Sequence, residues 1–413
     1  MQRDTVNLSH PILAPAVLLA LLATFLQQTF VSIGRVLPAV VAPVIIADLN
    51  IDAAWIGVYF SITAAASLLG QMGCGSFIIR HGALRMSQVA LVMLAAGMAI
   101  AAEGGILGFA LSAIIGGAGA AASTPASSHL LGRVSPRRYA PLVFSIKQTA
   151  VPAGLLIGGT FGPWMASSLG WRHAMLLIAL ACFAFVFMLQ PLRARFDTDR
   201  DPNRAFRLSD FKSTMTSVLG RRDLRALSFA CFAFNGIQQV FTAYFVVYLT
   251  HLGYTLVAAG FIFSAVVAVA VPGRILWGWI GSFYVAPRLV MAGLALGMAG
   301  SVALTGLFTP AWPLLMIGLV ATILSATAMS WHGILLAETA RLAPEGAAGS
   351  VTGGVLSFGQ MGALLGPIVY SGLLILTDSY GIGFAVCAIP AVWVGINLLR
   401  QAPVAPKASD QPG

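Results

Sequence analysis

The sequence has few charged residues and few cysteines. Only 9% of its 413 residues are charged and 13 are acidic, whereas 58% are hydrophobic and the mean hydropathy is +0.89. Soluble globular domains lie far from this composition, which is typical of proteins surrounded by lipid. The four cysteines, Cys74, Cys182, Cys231 and Cys387, fall in apolar segments at no metal-ligand spacing and are expected to be small core residues.

The motifs of common enzyme classes are also missing. We find no phosphate-binding loop with the Walker spacing, no His or Cys cluster and no paired acids of the prenyltransferase type. The many glycines recur in small-xxx-small patterns, which let helices approach closely. The sequence therefore predicts neither an enzyme nor a bound cofactor.

Long apolar runs fill nearly the whole chain. Crossing a hydrocarbon core of about 30 Å takes roughly 20 apolar residues in a helix. Because backbone groups in lipid need internal partners, and no period-two alternation points to a barrel, we predict an all-α membrane protein. Twelve spans are predicted: 13–38, 53–79, 84–103, 105–130, 139–168, 171–192, 224–250, 255–281, 286–308, 312–338, 347–376 and 380–400.

The formal charge of +10 is distributed along the chain in a one-sided way. With the N-terminus inside, all but four of the 23 basic residues fall in cytoplasmic segments, the exceptions being Arg35, Lys147, Arg172 and Arg274. The positive-inside rule then places both termini in the cytoplasm, which suits a multi-pass protein of the cell inner membrane. It also explains the high pI without a nucleic-acid partner.

A polar stretch divides the chain into two parts. Hydropathy collapses between the sixth and seventh predicted spans, where Arg and Asp are frequent. We predict four regions: an N-terminal six-helix bundle (1–192), a cytoplasmic linker (193–223), a C-terminal six-helix bundle (224–400) and a disordered tail (401–413).

The two parts repeat each other in sequence. Residues 57–61 match 260–264, and 69–71 match 272–274, both at an offset of 203. The Gly-x-x-x-Gly-Pro pattern at 158–163 recurs at 362–367, and the Gln pair at 27–28 recurs at 238–239. Duplicated units of this kind are typical of transport proteins, so two pseudo-symmetric bundles are expected.

These segments resemble the major facilitator superfamily. The stretch from Gly75 to Arg85 is similar to its loop between helices 2 and 3, the Gly-Pro patterns to its helices 5 and 11, and residues 170–172 to its Gly-Trp-Arg turn. The resemblance covers nearly the whole chain and implies a transporter with two rocking bundles.

The resemblance also implies gating residues. Arg80, Gly82 and Arg85 fall in the loop motif, but Ile79 replaces the acid that usually precedes the arginine. The gating network is therefore expected to be weaker or differently built. At the end of helix 10, Glu338 stands three residues before Arg341, a spacing that favours a local ion pair with a gating or structural role.

Three basic residues lie inside predicted spans, where an ionisable group is by default a functional candidate. Arg35 shares one helix face with Gln28, and the segment that follows it resembles organic-anion porters of the superfamily. Lys147 stands beside Gln148 in a polar patch of helix 5. The alternative for both is a side chain that extends to the nearest interface.

Arg274 belongs to a segment of helix 8 that resembles oxalate, monocarboxylate and nitrate porters. A guanidinium can bind a carboxylate or nitrate with two parallel hydrogen bonds. The nitrate porters use a second arginine on helix 2, where the repeat places Gln71 here, so an organic anion is favoured. A structural arginine is the alternative.

Other polar residues complete the predicted cavity. His332 is the candidate proton carrier, with a packing role as its alternative, because its ordinary pKa lies near neutrality. Asn235 and Gln239 on helix 7 and Gln360 on helix 11 are expected to contact substrate or neighbouring helices.

Taken together, these residues predict a monomeric transporter for a small organic anion, with a carboxylate as the favoured class. Its partners would be that substrate and the lipid bilayer. The alternatives are an efflux pump for lipophilic compounds and a transporter-like membrane sensor. Direction and coupling ion stay open.

Overall fold

The computed structural model describes residues 15–136, 140–203, 216, 218–343 and 348–400. The predicted tail, 401–413, and much of the linker lie outside these ranges. Within them the chain is helical, with no strand. This confirms the predicted all-α membrane class.

The N-terminal half contains nine helices in the described residues. They are α1 (Pro15–Val40), α2 (Ala42–Leu49), α3 (Trp55–His81), α4 (Ala83–Glu103), α5 (Ile106–Ala120), α6 (Ser123–Val134), α7 (Ala140–Gln148), α8 (Ala150–Leu169) and α9 (Trp171–Leu189). A single turn, α10 (Arg193–Phe196), starts the linker.

The C-terminal half contains eight helices in the described residues, and the counterpart of the broken fifth span is continuous there. Its helices are α11 (Arg222–His251), α12 (Leu256–Ala268), α13 (Ala270–Phe283), α14 (Pro287–Thr305), α15 (Leu314–Ala328), α16 (His332–Leu342), α17 (Ala348–Thr377) and α18 (Tyr380–Arg400). The predicted fourth, fifth, eighth and tenth spans are each two consecutive helices, broken near their middle.

Fewer helices are long and apolar enough to cross a membrane than the twelve spans predicted from sequence. Ten described segments pass it, and eleven do so if the two parts of α3, which meet at a bend of 57°, are counted as one span. The fifth predicted span, formed by α7 and α8, does not pass. Four glycines and two prolines within α8 lower its hydropathy. The count of twelve therefore stays a prediction.

The sequence repeat appears as a pair of matching contacts between the halves. A Cβ on Gly57 in α3 would lie 2.4 Å from the carbonyl oxygen of Pro367 in α17. A Cβ on Gly260 in α12 would lie 2.4 Å from the Pro163 ring in α8. Because only glycine permits this approach, each half places its second span against the Gly-Pro motif of the other.

Most hydrogen bonds between the halves lie at one end of the molecule, which we call the closed end. Ser61 donates to the Leu364 carbonyl at 2.8 Å, and Ser264 donates to the Leu156 carbonyl at 3.0 Å. The carbonyl of Ala54 accepts from Ser371 at 2.8 Å. These contacts seal the interface there.

The opposite end carries the linker. A Cβ on Gly75 in α3 or on Gly132 in α6 would meet no atom within 4 Å. Both glycines are exposed, and the hydrogen bonds between the halves in the described residues lie farther toward the closed end.

Candidate functional site

A proline creates the central acceptor of the site. Pro152 in α8 has no N–H, so the carbonyl of Gln148, four residues earlier, has no donor within its own helix. Helix α7 ends at this residue. The Arg274 guanidinium donates to the freed carbonyl through Nη1 at 2.8 Å. The interruption of the fifth span thereby binds the two halves together.

Arg274 also binds the tenth span. Its Nε donates to the carbonyl of Met329 at 2.8 Å, in the break between α15 and α16. In the described part of the chain, its remaining terminal nitrogen, Nη2, has no hydrogen-bond partner. The guanidinium is therefore fixed on two sides, with one N–H edge left for a ligand.

Lys147 is completely buried, and it is linked to Arg274 through Gln148, which both side chains contact. Its Nζ is 3.3 Å from Oε1 of Gln28 and 3.5 Å from Oε1 of Gln148. The Gln28 oxygen accepts a further hydrogen bond from Thr124 at 3.2 Å. The ammonium thus lies at the junction of α1, α6 and α7, where neutral oxygens solvate it but do not balance its charge.

His332 is the third group of this cluster. Its ring stacks on Trp331 with centroids 3.8 Å apart, and its Nδ1 is buried with no described hydrogen-bond partner. It is also close enough to Arg274 for charge repulsion if it were protonated. Trp331 is held by a hydrogen bond from Nε1 to Gln238 at 3.2 Å.

The cluster of Lys147, Arg274 and His332 contains no balancing acid among the described residues. The ion pairs found there lie elsewhere, at helix ends and in the linker. Uncompensated positive charge in a low-dielectric region favours an anion strongly. An anion bound there would balance the charge of the cluster.

Several predicted site residues lie outside this cluster. Arg35 lines a separate small cavity within the N-terminal half. Asn235 donates to the Gly359 carbonyl at 2.7 Å, which joins α11 to α17. The side chains of three further predicted residues make no hydrogen bond within the described part of the chain: Gln71, Gln239 and Gln360. Their contact with substrate stays a prediction.

The turn between α3 and α4 is bound by an acid of the linker that the sequence motif did not reveal. Gly82 has φ +96°, and the N-terminus of α4 that follows it is capped by Asp197 from the linker. The Asp197 carboxylate accepts from the amide N–H of Leu84 at 2.8 Å and of Arg85 at 3.0 Å. Asp197 thus brings a carboxylate to the loop in which Ile79 replaces the usual acid.

The basic residues of that loop are less constrained. Arg80 and Arg85 are exposed, and Arg85 donates to Gln88 at the long distance of 3.4 Å. The predicted pair of Glu338 and Arg341 is confirmed, with hydrogen bonds of 2.8 and 2.6 Å. Their roles in gating stay predictions.

Proteins of known structure share this architecture. A bacterial homologue of the human lysosomal transporter Spinster, inward-facing and occupied, has a TM-score of 0.69 at 16% identity, covering 93% of this chain and 95% of its own. A POT family transporter in complex with 5-aminolevulinic acid has a TM-score of 0.73 at 14% identity, with coverage of 92% and 95%. A D-xylose-proton symporter has a TM-score of 0.71 at 16% identity, with coverage of 93% and 97%.

At these identities the structures establish the fold alone. Among curated proteins, no sequence matches the chain significantly. The sequence model of the Major Facilitator Superfamily, however, matches residues 20–367, most of the chain. The chain therefore belongs to the major facilitator superfamily, a family of membrane transporters, not enzymes, that work by alternating access.

Proposed function

We propose that the protein transports a small organic anion and that it recognises a carboxylate between Lys147 and Arg274. The observation that carries the proposal is that Arg274, which bonds across the interface of the halves, and Lys147, beside it in the N-terminal half, lie together without a described acid to balance them. Each is bound by neutral oxygens only. A carboxylate would supply the missing charge and accept from the unpartnered Nη2 of Arg274.

The depth of the site suits alternating access. Depth can be counted in residues from the closed end, where α3 starts and α8 ends. The hydrogen bond of Ser61 lies six residues from the start of α3, whereas the Gln148 carbonyl bound by Arg274 lies 21 residues before the end of α8. The cluster thus lies where the sealed part of the interface stops. We infer that the linker end is cytoplasmic, so that this conformation is open toward the cytoplasm. We further propose that the protein lies in the cell inner membrane and works as a monomer.

His332 gives the site a route to proton coupling. A proton on this ring would add positive charge beside Arg274, and a bound carboxylate would offset the repulsion. Binding of the anion and of the proton would then favour each other, as reciprocal linkage requires. We therefore propose His332 as the proton carrier of an anion symporter.

Counterflow in proteoliposomes tests the proposal. Vesicles loaded with an unlabelled carboxylate should accumulate the labelled compound from outside, and Arg274→Gln should abolish this exchange. A matched variant, Arg225→Gln, changes an exposed arginine near the start of α11 and should retain it. Failure of every carboxylate of a broad panel to exchange would refute the proposal and favour a sensor.

Efflux of lipophilic compounds is a second candidate function, favoured by one observation. An apolar recess lies between α2, α3 and α5, near the aromatic rings of Trp55, Tyr59 and Phe109. Resistance profiling of an overexpressing strain separates the two functions. Broad resistance that Trp55→Ala removes and Arg274→Gln leaves intact would establish efflux.

A further inference from the structure

Two buried hydroxyl groups at the closed end meet a main-chain carbonyl of the opposite half. Tyr244 in α11 and Ser371 in α17 belong to the C-terminal half, whereas Ala54 lies directly before α3 in the N-terminal half. All three residues are buried. Their polar groups therefore meet away from water, along the seam between α3 and α17.

The two hydroxyl groups can donate in series to this carbonyl. The oxygens of Tyr244 and Ser371 are 2.7 Å apart, and Oγ of Ser371 lies 2.8 Å from the Ala54 carbonyl oxygen. The other contacts are longer, 3.3 Å from Tyr244 to the same carbonyl and 2.9 Å from Ser371 to the Pro367 carbonyl of its own helix. Each hydroxyl group has one proton to donate. In the shortest arrangement, Tyr244 donates to Ser371 and Ser371 donates across the seam to Ala54.

Each half holds its own side of this contact in place. The Tyr244 ring stacks on Tyr370 with centroids 4.1 Å apart, and the Tyr370 hydroxyl donates to the Tyr380 carbonyl at 2.9 Å. In the other half, Asp52 accepts from the amide N–H of Ala54 at 2.7 Å, which fixes the turn before α3. Because donor and acceptor are held separately, the contact breaks when the halves move apart.

The sequence repeat places no equivalent pair of hydroxyl groups on the other side of the molecule. At the offset of the two Gln pairs, 211 residues, Tyr244 corresponds to Ile33, which has no hydroxyl group. At the offset of the Gly-Pro motifs, 204 residues, Ser371 corresponds to Ser167. Within the described ranges, the Ser167 side chain donates only to the Pro163 carbonyl of its own helix, at 2.9 Å. The contact is therefore one-sided.

We propose that Tyr244 is a positioning residue of the transport cycle, which acts through Ser371 on the Ala54 carbonyl to latch the closed end. Alternating access requires this end to part in the other conformation, and parting breaks the bond to Ala54. Removing the Tyr244 hydroxyl should therefore favour the other conformation about 2-fold to 10-fold, the range for one neutral hydrogen bond. The inference concerns the conformational equilibrium and holds for any substrate.

Hydrogen exchange of the main-chain amides tests the latch. It is followed by mass spectrometry on the full-length protein without substrate. Tyr244→Phe should speed exchange about 2-fold to 10-fold in residues 52–61 at the closed end, because exchange there follows the population in which this end is open. It should slow exchange in α6 and α16 at the linker end, since one end closes as the other opens. A merely structural role of Tyr244 would not produce this second change.

Two variants serve as matched controls. Tyr248→Phe removes a phenol hydroxyl from the same helix, but its bond of 2.9 Å to the Phe308 carbonyl stays within the C-terminal half. Ser167→Ala removes the counterpart of Ser371 in the repeat, which bonds only within α8. Both controls should leave exchange at the two ends in the same ratio as in the unmodified protein. Opposite changes at the two ends in either control would contradict the latch.

Ser371→Ala covers the case in which Tyr244→Phe does not fold. It removes the hydroxyl that reaches Ala54, so exchange should again rise at the closed end and fall at the linker end. Unchanged exchange in either variant, or faster exchange at both ends, would overturn the proposal. Since no substrate is present, these outcomes are independent of whether the protein transports a carboxylate.

Discussion

The Arg274 guanidinium donates a hydrogen bond of 2.8 Å to the main-chain carbonyl of Gln148, on the opposite half of the molecule. Of the hydrogen bonds between the halves in the described residues, this one lies nearest the linker end. The same side chain is the proposed carboxylate ligand. In the proposed mode of binding, substrate and the Gln148 carbonyl would accept from different nitrogens of one guanidinium, Nη2 and Nη1, which would couple binding to the contact between the halves.

Two substitutions of Arg274 should separate the contribution of its charge to carboxylate affinity from that of its planar guanidinium. Arg274→Gln should weaken carboxylate binding about 10-fold to 100-fold, the range for losing one or two hydrogen bonds to a charged group. Arg274→Lys should recover only part of this, because an ammonium cannot form the planar fork. Isothermal titration with the transported carboxylate measures both. Equal affinity in Arg274→Gln and in Arg225→Gln would contradict the assignment.

The buried charge of Lys147 should lower the free energy of unfolding, although it is needed to bind the carboxylate. Since it is fully buried without a described acid, Lys147→Met should stabilise the protein by about 1 to 4 kcal/mol, as found when buried charges become apolar. The same variant should lose carboxylate binding. Unfolding in detergent measures the first effect, with Ile146→Met on the exposed neighbour as control. A destabilised Lys147→Met would show that its amide contacts outweigh the burial cost.

Gly82 and Asp197 should be energetically coupled. A Cβ on Gly82 would lie 2.3 Å from Cγ of Asp197, and the φ of +96° adds strain of about 1 to 3 kcal/mol. Gly82→Ala should therefore cost more than Gly170→Ala, where φ is +86° but no atom lies within 4 Å of the added Cβ.

Asp197→Ala should cost about 1 kcal/mol, the usual effect of a lost helix cap. In the double variant, the contacts with Cγ and Oδ1 are absent and only the one with Cβ of residue 197, at 2.6 Å, is left, so the two costs should sum to more than the measured loss. Additive losses in urea or thermal unfolding would show that the carboxylate moves away without cost.

Stability should depend on Asp48 only in acid. The hydrogen bond from Arg172, aided by one from Trp171, holds the pKa of the Asp48 carboxyl below its ordinary value of 3.8. A depressed pKa means that the stabilisation is complete above the ordinary value and is lost as pH falls through the folded one. Asp48→Asn should thus lower the melting temperature by a small, constant amount between pH 5 and 8.

The two proteins should converge as pH falls below the ordinary value of 3.8 and through the folded pKa, since protonation removes the same charge in the unmodified protein. Arg172→Gln should lower the melting temperature by about as much as Asp48→Asn does. Both side chains of the pair are largely exposed, so neither variant leaves a buried charge without a partner. A difference that persists unchanged well below this pH would exclude the ion pair as its cause.

The membrane class and the repeat were accessible from sequence because hydropathy and glycine spacing are local patterns. Gly57 and Gly260, matched at an offset of 203, do make equivalent contacts with Pro367 and Pro163. Span number was less accessible, because glycine and proline in α8 lower its hydropathy without preventing a helix.

The site was accessible only in part. Charge in an apolar run identified Lys147 and Arg274, but their partner is a carbonyl, which has no signature in the side chains. Pro152, four residues after Gln148, was the available signal for that free carbonyl. Asp197 could not be found, because its contact with α4 joins segments 112 and 113 residues apart.

The most direct test of the account compares small carboxylates with their neutral amides in a melting assay of the full-length protein. The account predicts that at least one carboxylate raises the melting temperature, that its amide does not, and that Arg274→Gln and Lys147→Gln both abolish the rise. Stabilisation by an amide as strong as by its acid, or a carboxylate effect that survives in both variants, would contradict it.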